Sequence, residues 1–327
     1  MLRLPPFSYA SAKTLDEASR MVASSPHAML VSGGTDLYPN IKRRQVGPKL
    51  LVSLSRISEL KGIRGDGNRG ITIGALTTLE EVASSPVVGE HYPALAEAAL
   101  SVGSPQIRSA ASLGGNLCQD TRCSYYDMPS EWREGVGHCL KEGGDVCRVA
   151  PGSDRCWAVA SSDIAPVAVA LDATVLLVSA RGRRRVKANS LFRNDGLAHL
   201  SKDRDEILTE LRLPPPGGLR AKYLKLRQRG AIDFPILGVA VAVKLDEQGT
   251  CSLARVVLGA VGSCPLEAEG SEKLLTGGRI TDEKVREASI EAARLARPME
   301  NSGLTLQYRK AMVQVLVARA LKAVVAA

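Results

Sequence analysis

Aromatic side chains are scarce: three Phe, two Trp and seven Tyr make up 4% of the 327 residues. Surfaces that bind nucleic acid interleave basic residues with stacking rings, and no such run occurs. The net charge of +9, from 43 Lys and Arg against 34 Asp and Glu, therefore points away from nucleic acid and toward an acidic protein partner. Long apolar runs are also missing. The stretches at residues 236–243 and 312–317 fall well short of the roughly 20 residues that span a bilayer, so no transmembrane helix is expected. The start, Met1-Leu2-Arg3-Leu4-Pro5-Pro6, lacks an apolar signal-peptide core, and the chain reads as cytoplasmic.

What is present begins with seven cysteines. An odd number without an export signal argues for metal ligands or free thiols over a disulfide framework. Cys251 and Cys264 stand apart in strand-like or turn sequence and read as small buried hydrophobes. The other five, Cys118, Cys123, Cys139, Cys147 and Cys156, share one stretch.

Around that stretch the pattern changes along the chain. Thr14 and Glu17 stand at capping-box spacing ahead of a helix, and Thr77 and Glu80 repeat the spacing. Strands are expected at Ala28–Val31, residues 50–54 and Gly70–Gly74, so the first part alternates helix and strand. A helix follows Pro93 to about Val102. Residues 117–160 resemble neither flank. From Asp163 onward the sequence is strand-rich, at residues 174–178, 206–213 and 222–227, with Pro214-Pro215-Pro216-Gly217-Gly218 as a linker. The domain boundary is placed there, giving 1–216 and 217–327. A long hairpin at residues 236–245 and 252–261 turns at Asp246-Glu247-Gln248-Gly249. Two helices close the chain, one starting at Thr281 and one running over residues 306–323.

Two glycine turns carry the chemistry. Positive φ and a missing Cβ let successive backbone N–H groups face one anion, and both Ser32-Gly33-Gly34-Thr35-Asp36 and Ser112-Leu113-Gly114-Gly115-Asn116 offer this. Neither turn matches the G-x-G-x-x-G dinucleotide fingerprint or the Gly-Lys-Ser/Thr ending of a phosphate loop, which disfavours a nicotinamide site and an ATPase. The ordered blocks Ser32 to Leu37, Ile73 to Thr78, Ile107 to Asn116, Asp163-Ile164-Ala165-Pro166 and Leu224-Lys225 resemble the FAD-binding medium subunits of the xanthine dehydrogenase and carbon monoxide dehydrogenase family, over nearly the whole chain.

The resemblance implies an α+β fold: a two-subdomain FAD-binding domain of the molybdenum hydroxylase medium-subunit type, then a C-terminal antiparallel sheet with helices. It also implies that FAD lies between the two glycine loops. By position, Leu30, Val31, Ser32, Gly33, Gly34, Thr35, Asp36, Leu37, Ser112, Gly115, Asn116, Asp163 and Lys225 would contact it, with Gln119, Val102 and Leu208 beside it. Taken without the family, Asp163 reads equally as a helix cap and Lys225 as a solvated strand residue.

Between Asn116 and Asp163 the chain takes about forty residues more than ordinary hydroxylase relatives. Cys123, Cys139, Cys147 and Cys156 fall here, separated by fifteen, seven and eight residues. Arg122, Lys141 and Arg155 beside them would favour thiolates. The spacing matches neither the common ferredoxin pattern nor the short knuckles of structural zinc, so spacing alone suggests a metal and leaves its identity open. Among the family's flavin subunits, the 4-hydroxybenzoyl-CoA reductase branch carries such an insertion. The segment Asn116-Leu117-Cys118-Gln119-Asp120-Thr121-Arg122-Cys123 followed by three further cysteines resembles it. That likeness implies a [4Fe-4S] cluster on the four cysteines, with Cys118 beside FAD instead. It further implies a ferredoxin donor, a molybdopterin-binding large subunit and a small [2Fe-2S] subunit, with substrate chemistry on the partners. A forward-running hydroxylase using NAD or quinone, and a scaffold with a structural zinc loop, stand as rival readings.

Overall fold

The computed structural model describes residues 2–326. The first sheet is parallel, in the order β1 (Ser8–Ser11), β3 (Leu50–Ser53), β2 (Ala28–Val31). Parallel strands need crossover connections, and the helix Leu15–Ala23 supplies the one from β1 to β2, which flank β3. Thr14 caps that helix by accepting from the Glu17 amide at 3.1 Å, while the Glu17 carboxylate takes the Lys13 amide at 2.7 Å. The second sheet joins distant parts of the chain in the order β4 (Ile63–Gly67), β5 (Gly70–Gly74), β8 (Ile207–Leu213), β6 (Thr174–Ser179), β7 (Gly182–Lys187). The expected capping box falls one residue later than read, at Thr78 and Glu81. Thr77 is unavailable because its buried hydroxyl donates to the Gly62 carbonyl, and Glu80 instead pairs with Arg108 at 2.8 Å.

The third sheet is antiparallel, in the order β12 (Leu266–Glu267), β11 (Cys251–Gly259), β10 (Leu237–Leu245), β9 (Leu219–Leu226). Side chains alternate between its faces. Ala240 and Ala242 of β10 join the core that contains the helices Pro93–Ser101 and Ile164–Ala170, whereas Val239, Val241 and Val243 join the core under the C-terminal helices. Burial on both faces explains why β10 is apolar from Leu237 to Val243. The last two helices span Asp282–Leu295 and Leu306–Ala326. Among the described residues no helix is long and apolar enough to cross a membrane.

Residues 117–160 form no sheet of their own. They are pinned at the base by reciprocal backbone bonds between Arg122 and Val159, 2.9 and 2.8 Å, and contain the short helix Ser130–Gly135. Their apolar centre is small: Cys123, Tyr126, Cys156 and Ala158, with Tyr125, Cys139, Leu140 and Val149 packed against it.

Candidate functional site

A cleft of about 880 Å³ opens between the first and second sheets, bounded by the two glycine turns. β2 ends at Val31, so Ser32 to Asp36 leave the parallel sheet at its C-terminal edge, where such sheets bind ligands. Gly34 has φ +71°, which favours glycine, and a Cβ on Gly33 would overlap the Ala110 carbonyl oxygen. The second turn is equally tight: a Cβ on Gly114 would lie 2.7 Å from that of Ala75. The two turns are tied together, since Ser32 Oγ donates to Ser112 Oγ at 2.9 Å, and Ser112 Oγ accepts the Gly115 amide at 3.1 Å. Asn116 Oδ1 accepts from Ser162 Oγ at 2.7 Å and from the Ile164 amide at 3.3 Å, locking the second turn to the start of the helix Ile164–Ala170.

The residues singled out in the sequence meet at this cleft. Leu30, Val31, Ser32, Gly33, Gly34, Thr35, Asp36, Leu37, Val102, Ser112, Gly115, Asn116, Gln119, Asp163 and Leu208 all line it, as does Cys118. Gln119 Nε2 is buried without a protein partner, a donor left for a ligand acceptor. Lys225 does not line the cleft. It stands behind Asp163, its Nζ 2.9 Å from Oδ2 and 3.0 Å from the Ser101 carbonyl oxygen. Asp163 makes no helix-cap bond; it accepts also from the Tyr223 hydroxyl at 2.7 Å. Burial raises the Asp163 carboxyl overall, although Lys225 and Tyr223 oppose the rise. Not anticipated were Arg204, His199 and the segment Ile232 to Phe234, which also line the cleft. They come from sequence with no motif, and only the folded chain brings them there.

A second, much smaller space lies in the insertion. Cys123, Cys139, Cys147 and Cys156 all line one cavity of about 10 Å³, with Tyr126, Lys141 and Arg148 among its other walls. That volume is about one water-sized sphere. Among the described residues no three His, Cys, Asp or Glu side chains already stand as a metal cage. The four thiols thus converge on one space without standing at ligand geometry, and they would have to rearrange to hold a cluster. As a donor set they suit iron and sulfide, which take four thiolates. Burial pushes the Cys123 thiol up to about 11 and raises that of Cys156. Of the three neighbouring cations only Lys141 lines the cavity. Arg122 turns away to pair with Asp36, and Arg155 stacks on the Trp157 ring at 3.8 Å. His138 pairs with Glu142 at 3.2 Å and does not line the cavity.

Sheet order, paired glycine turns and a cleft of dinucleotide size define a protein built to hold a dinucleotide cofactor. Residues 5–216 match the family model for the FAD binding domain in molybdopterin dehydrogenase, and residues 222–324 match that for the CO dehydrogenase flavoprotein C-terminal domain. The chain belongs to the family of FAD-binding medium subunits of molybdenum hydroxylases. It is 30% identical to the carbon monoxide dehydrogenase medium chain of Hydrogenophaga pseudoflava, over 98% of this chain and 97% of that one. It is 29% identical to the nicotinate dehydrogenase FAD-subunit of Eubacterium barkeri, over 94% and 92%. Among solved structures it resembles a carbon monoxide dehydrogenase of Hydrogenophaga pseudoflava lacking the Mo-pyranopterin moiety, with TM-score 0.81 and 29% identity over 99% of both chains.

Proposed function

We propose that this chain is the flavin and iron-sulfur subunit of a ferredoxin-dependent 4-hydroxybenzoyl-CoA reductase, working with a molybdopterin-binding large subunit and a small [2Fe-2S] subunit. The observation that carries the reading is the convergence of Cys123, Cys139, Cys147 and Cys156 on one buried cavity. In this reading residues 1–216 form the FAD-binding domain with its insertion, and 217–327 the C-terminal flavoprotein domain. Bound cluster and flavin would supply an exchange between one-electron and two-electron carriers. The chain's own residues do the rest. The Ser32–Ser112 bond holds the two glycine turns at a fixed separation, so their amides meet a pyrophosphate already oriented. Gln119 Nε2 offers its free donor, and Val102 and Leu208 give apolar walls. Lys225 and Tyr223 fix Asp163 at the cleft wall, which orients its carboxylate without exposing the lysine. Dehydroxylation itself belongs to the partners in this reading.

A forward-running dehydrogenase is the second reading, favoured by the relatives, which are a nicotinate dehydrogenase and a carbon monoxide dehydrogenase by name. The test purifies the assembled complex, measures iron and acid-labile sulfide for wild type and Cys147→Ser, and follows loss of 4-hydroxybenzoyl-CoA with reduced ferredoxin. Four irons more per chain in wild type than in the variant, with ferredoxin-driven turnover, support the reductase. Substrate hydroxylation with NAD or quinone as acceptor refutes it. Zinc in place of iron refutes the redox role of the cysteines.

A further inference from the structure

Two side chains, Tyr126 and Lys141, line both the cysteine cavity and the cofactor cleft. They are the partition between the two spaces. Lys141 is the unusual one, because its side chain is only 5% exposed. An ammonium has three N–H donors, and all three are used: Nζ lies 2.8 Å from Asp120 Oδ1, 2.9 Å from Thr121 Oγ1 and 2.8 Å from the Gly196 carbonyl oxygen. It also sits 5.1 Å from the centre of the Tyr126 ring. A lysine so held cannot swing to a ligand or to solvent; it is a fixed positive charge. The other cations nearby do not bridge the two spaces. Arg133 is paired with Glu142 and Arg122 with Asp36, while Arg148 lines the cysteine cavity but not the cleft and bonds the carbonyls of Val136 and Gly137. Asp120 lines the cleft but not the cysteine cavity.

We propose that Lys141 and Asp120 are positioning residues that form a fixed dipole across the partition and set the reduction potentials of the groups bound on either side. Adding an electron to a nearby group is favoured by the ammonium and opposed by the carboxylate, and a low-dielectric wall makes both effects large. Removing Lys141 also leaves Asp120 uncompensated, so both changes act in one direction. Removing the Asp120 charge does the reverse. The two variants therefore move the potentials with opposite signs, which loss of structure alone does not do.

The inference rests on the flavin and iron-sulfur reading above, and the experiment separates the two. The assembled complex is prepared as wild type, Lys141→Met, Lys141→Arg and Asp120→Asn; iron and flavin are counted, and cluster and flavin are titrated by electron paramagnetic resonance and absorbance. At the wild-type cluster midpoint, Lys141→Met should lower the ratio of reduced to oxidised cluster about tenfold, equivalent to about 59 mV for one electron. Asp120→Asn should raise the ratio, with the flavin shifting in the same sense in each variant, and Lys141→Arg should stay near wild type. Should Lys141→Met fail to load its cofactors, Asp120→Asn decides alone, because it keeps the ammonium. Full loading with unshifted potentials, or shifts of the same sign in both variants, overturns the proposal. A wild-type complex without iron in the insertion overturns instead the reading beneath it.

Discussion

Lys225→Met isolates a buried carboxylate, and its consequences can be worked through. In the folded chain Asp163 is 3% exposed and holds two side-chain partners, Lys225 and Tyr223. Breaking a buried ion pair by removing one partner costs about 3–5 kcal/mol. The cost has a ceiling here, because the folded variant can always neutralise Asp163 by taking a proton. Starting from the ordinary value of 3.8, protonation at pH 7 costs about 4 kcal/mol, at 1.36 kcal/mol per unit. At pH 5 the ceiling falls to about 2 kcal/mol by the same conversion. The sign follows from linkage. Burial already lifts the folded Asp163 above its unfolded value, and loss of Lys225 removes the largest opposing influence, so it rises further. The folded variant then binds more protons than the unfolded chain from pH 3.8 up to its raised value, and stability falls with rising pH over that window. Thermal unfolding of wild type, Lys225→Met and the double variant Asp163→Asn/Lys225→Met at pH 5 and pH 7 checks this. Lys225→Met should lose roughly 6–16 °C at pH 7, at about 2–4 °C per kcal/mol, and distinctly less at pH 5. The double variant carries no charge to isolate and should recover more than half of the loss at pH 7. A loss equal at both pH values, or no recovery in the double variant, would show that the pair does not bear the charge as argued.

Gly33→Ala should cut FAD occupancy at least tenfold, about 1.4 kcal/mol, because its Cβ would meet the Ala110 carbonyl and force the two glycine turns apart; Gly89→Ala, where a Cβ meets nothing, should leave flavin absorbance unchanged. Arg309→Met removes a fully buried guanidinium that donates to the carbonyls of Met299 and Ala260, both at 2.8 Å, and should cost about 1–3 kcal/mol per carbonyl left without a donor. Because the same loop carries Asn301, which donates to the Trp157 carbonyl, faster amide exchange at residues 299–305 and 122–126 should accompany that loss. Burial lowers Arg309 only to about 10, so its effect should not vary between pH 6 and pH 8. On the iron-sulfur reading proposed above, treatment with a chelator should speed amide exchange within residues 122–158 and leave β10 and β11 protected; unchanged exchange in the insertion would mean that no metal orders it.

Much of this was legible in the sequence where local chemistry decides the outcome. The turn at Gly33-Gly34, the hairpin around Asp246 to Gly249 and the C-terminal helices follow from glycine, turn residues and apolar spacing alone. What escaped depends on distant partners. The strand β7 reads Gly-Arg-Arg-Arg-Val-Lys and carries no apolar alternation; it forms because β6 offers an edge and because Arg184 finds Glu206, just ahead of β8, and Arg185 finds Glu210 on β8. Gly65-Asp66-Gly67-Asn68-Arg69-Gly70 spells the dinucleotide fingerprint, yet it runs from the end of β4 through the turn into β5 and leads into a strand, not a helix. The family resemblance marked Lys225 as a cofactor contact, but nothing in the strand reveals that Asp163 stands between it and the cleft. Likewise, adjacency in sequence placed Arg122 and Arg155 beside the thiols, whereas their long side chains reach Asp36 and Trp157.

The insertion poses the harder energetic question. Ordering a residue costs about 1–2 kcal/mol in backbone entropy, and the apolar centre of residues 117–160 is too small to offset that for some forty residues. Polar anchors supply part of the difference, and they reach three separate places. Gln45, beyond the first glycine turn, donates to the Tyr126 carbonyl and to Asp127, and accepts the Tyr126 hydroxyl at its own carbonyl. The Gly196 amide bonds the Cys156 carbonyl at 2.8 Å. Ser124 donates its amide to the Asn301 carbonyl at 3.0 Å, on the C-terminal side of the chain. Each anchor is worth about 1 kcal/mol, so together they hold the insertion in place without stabilising its interior. The interior is where three buried thiols and the half-buried Cys139 meet around almost no volume, with Lys141 as the only cation on the wall shared with the cleft. A metal centre there would add its binding free energy directly to the folding of the loop. The same ligation would fix the partition at Tyr126 and Lys141, so that the order of the insertion and the electrostatics of the cleft depend on one set of contacts.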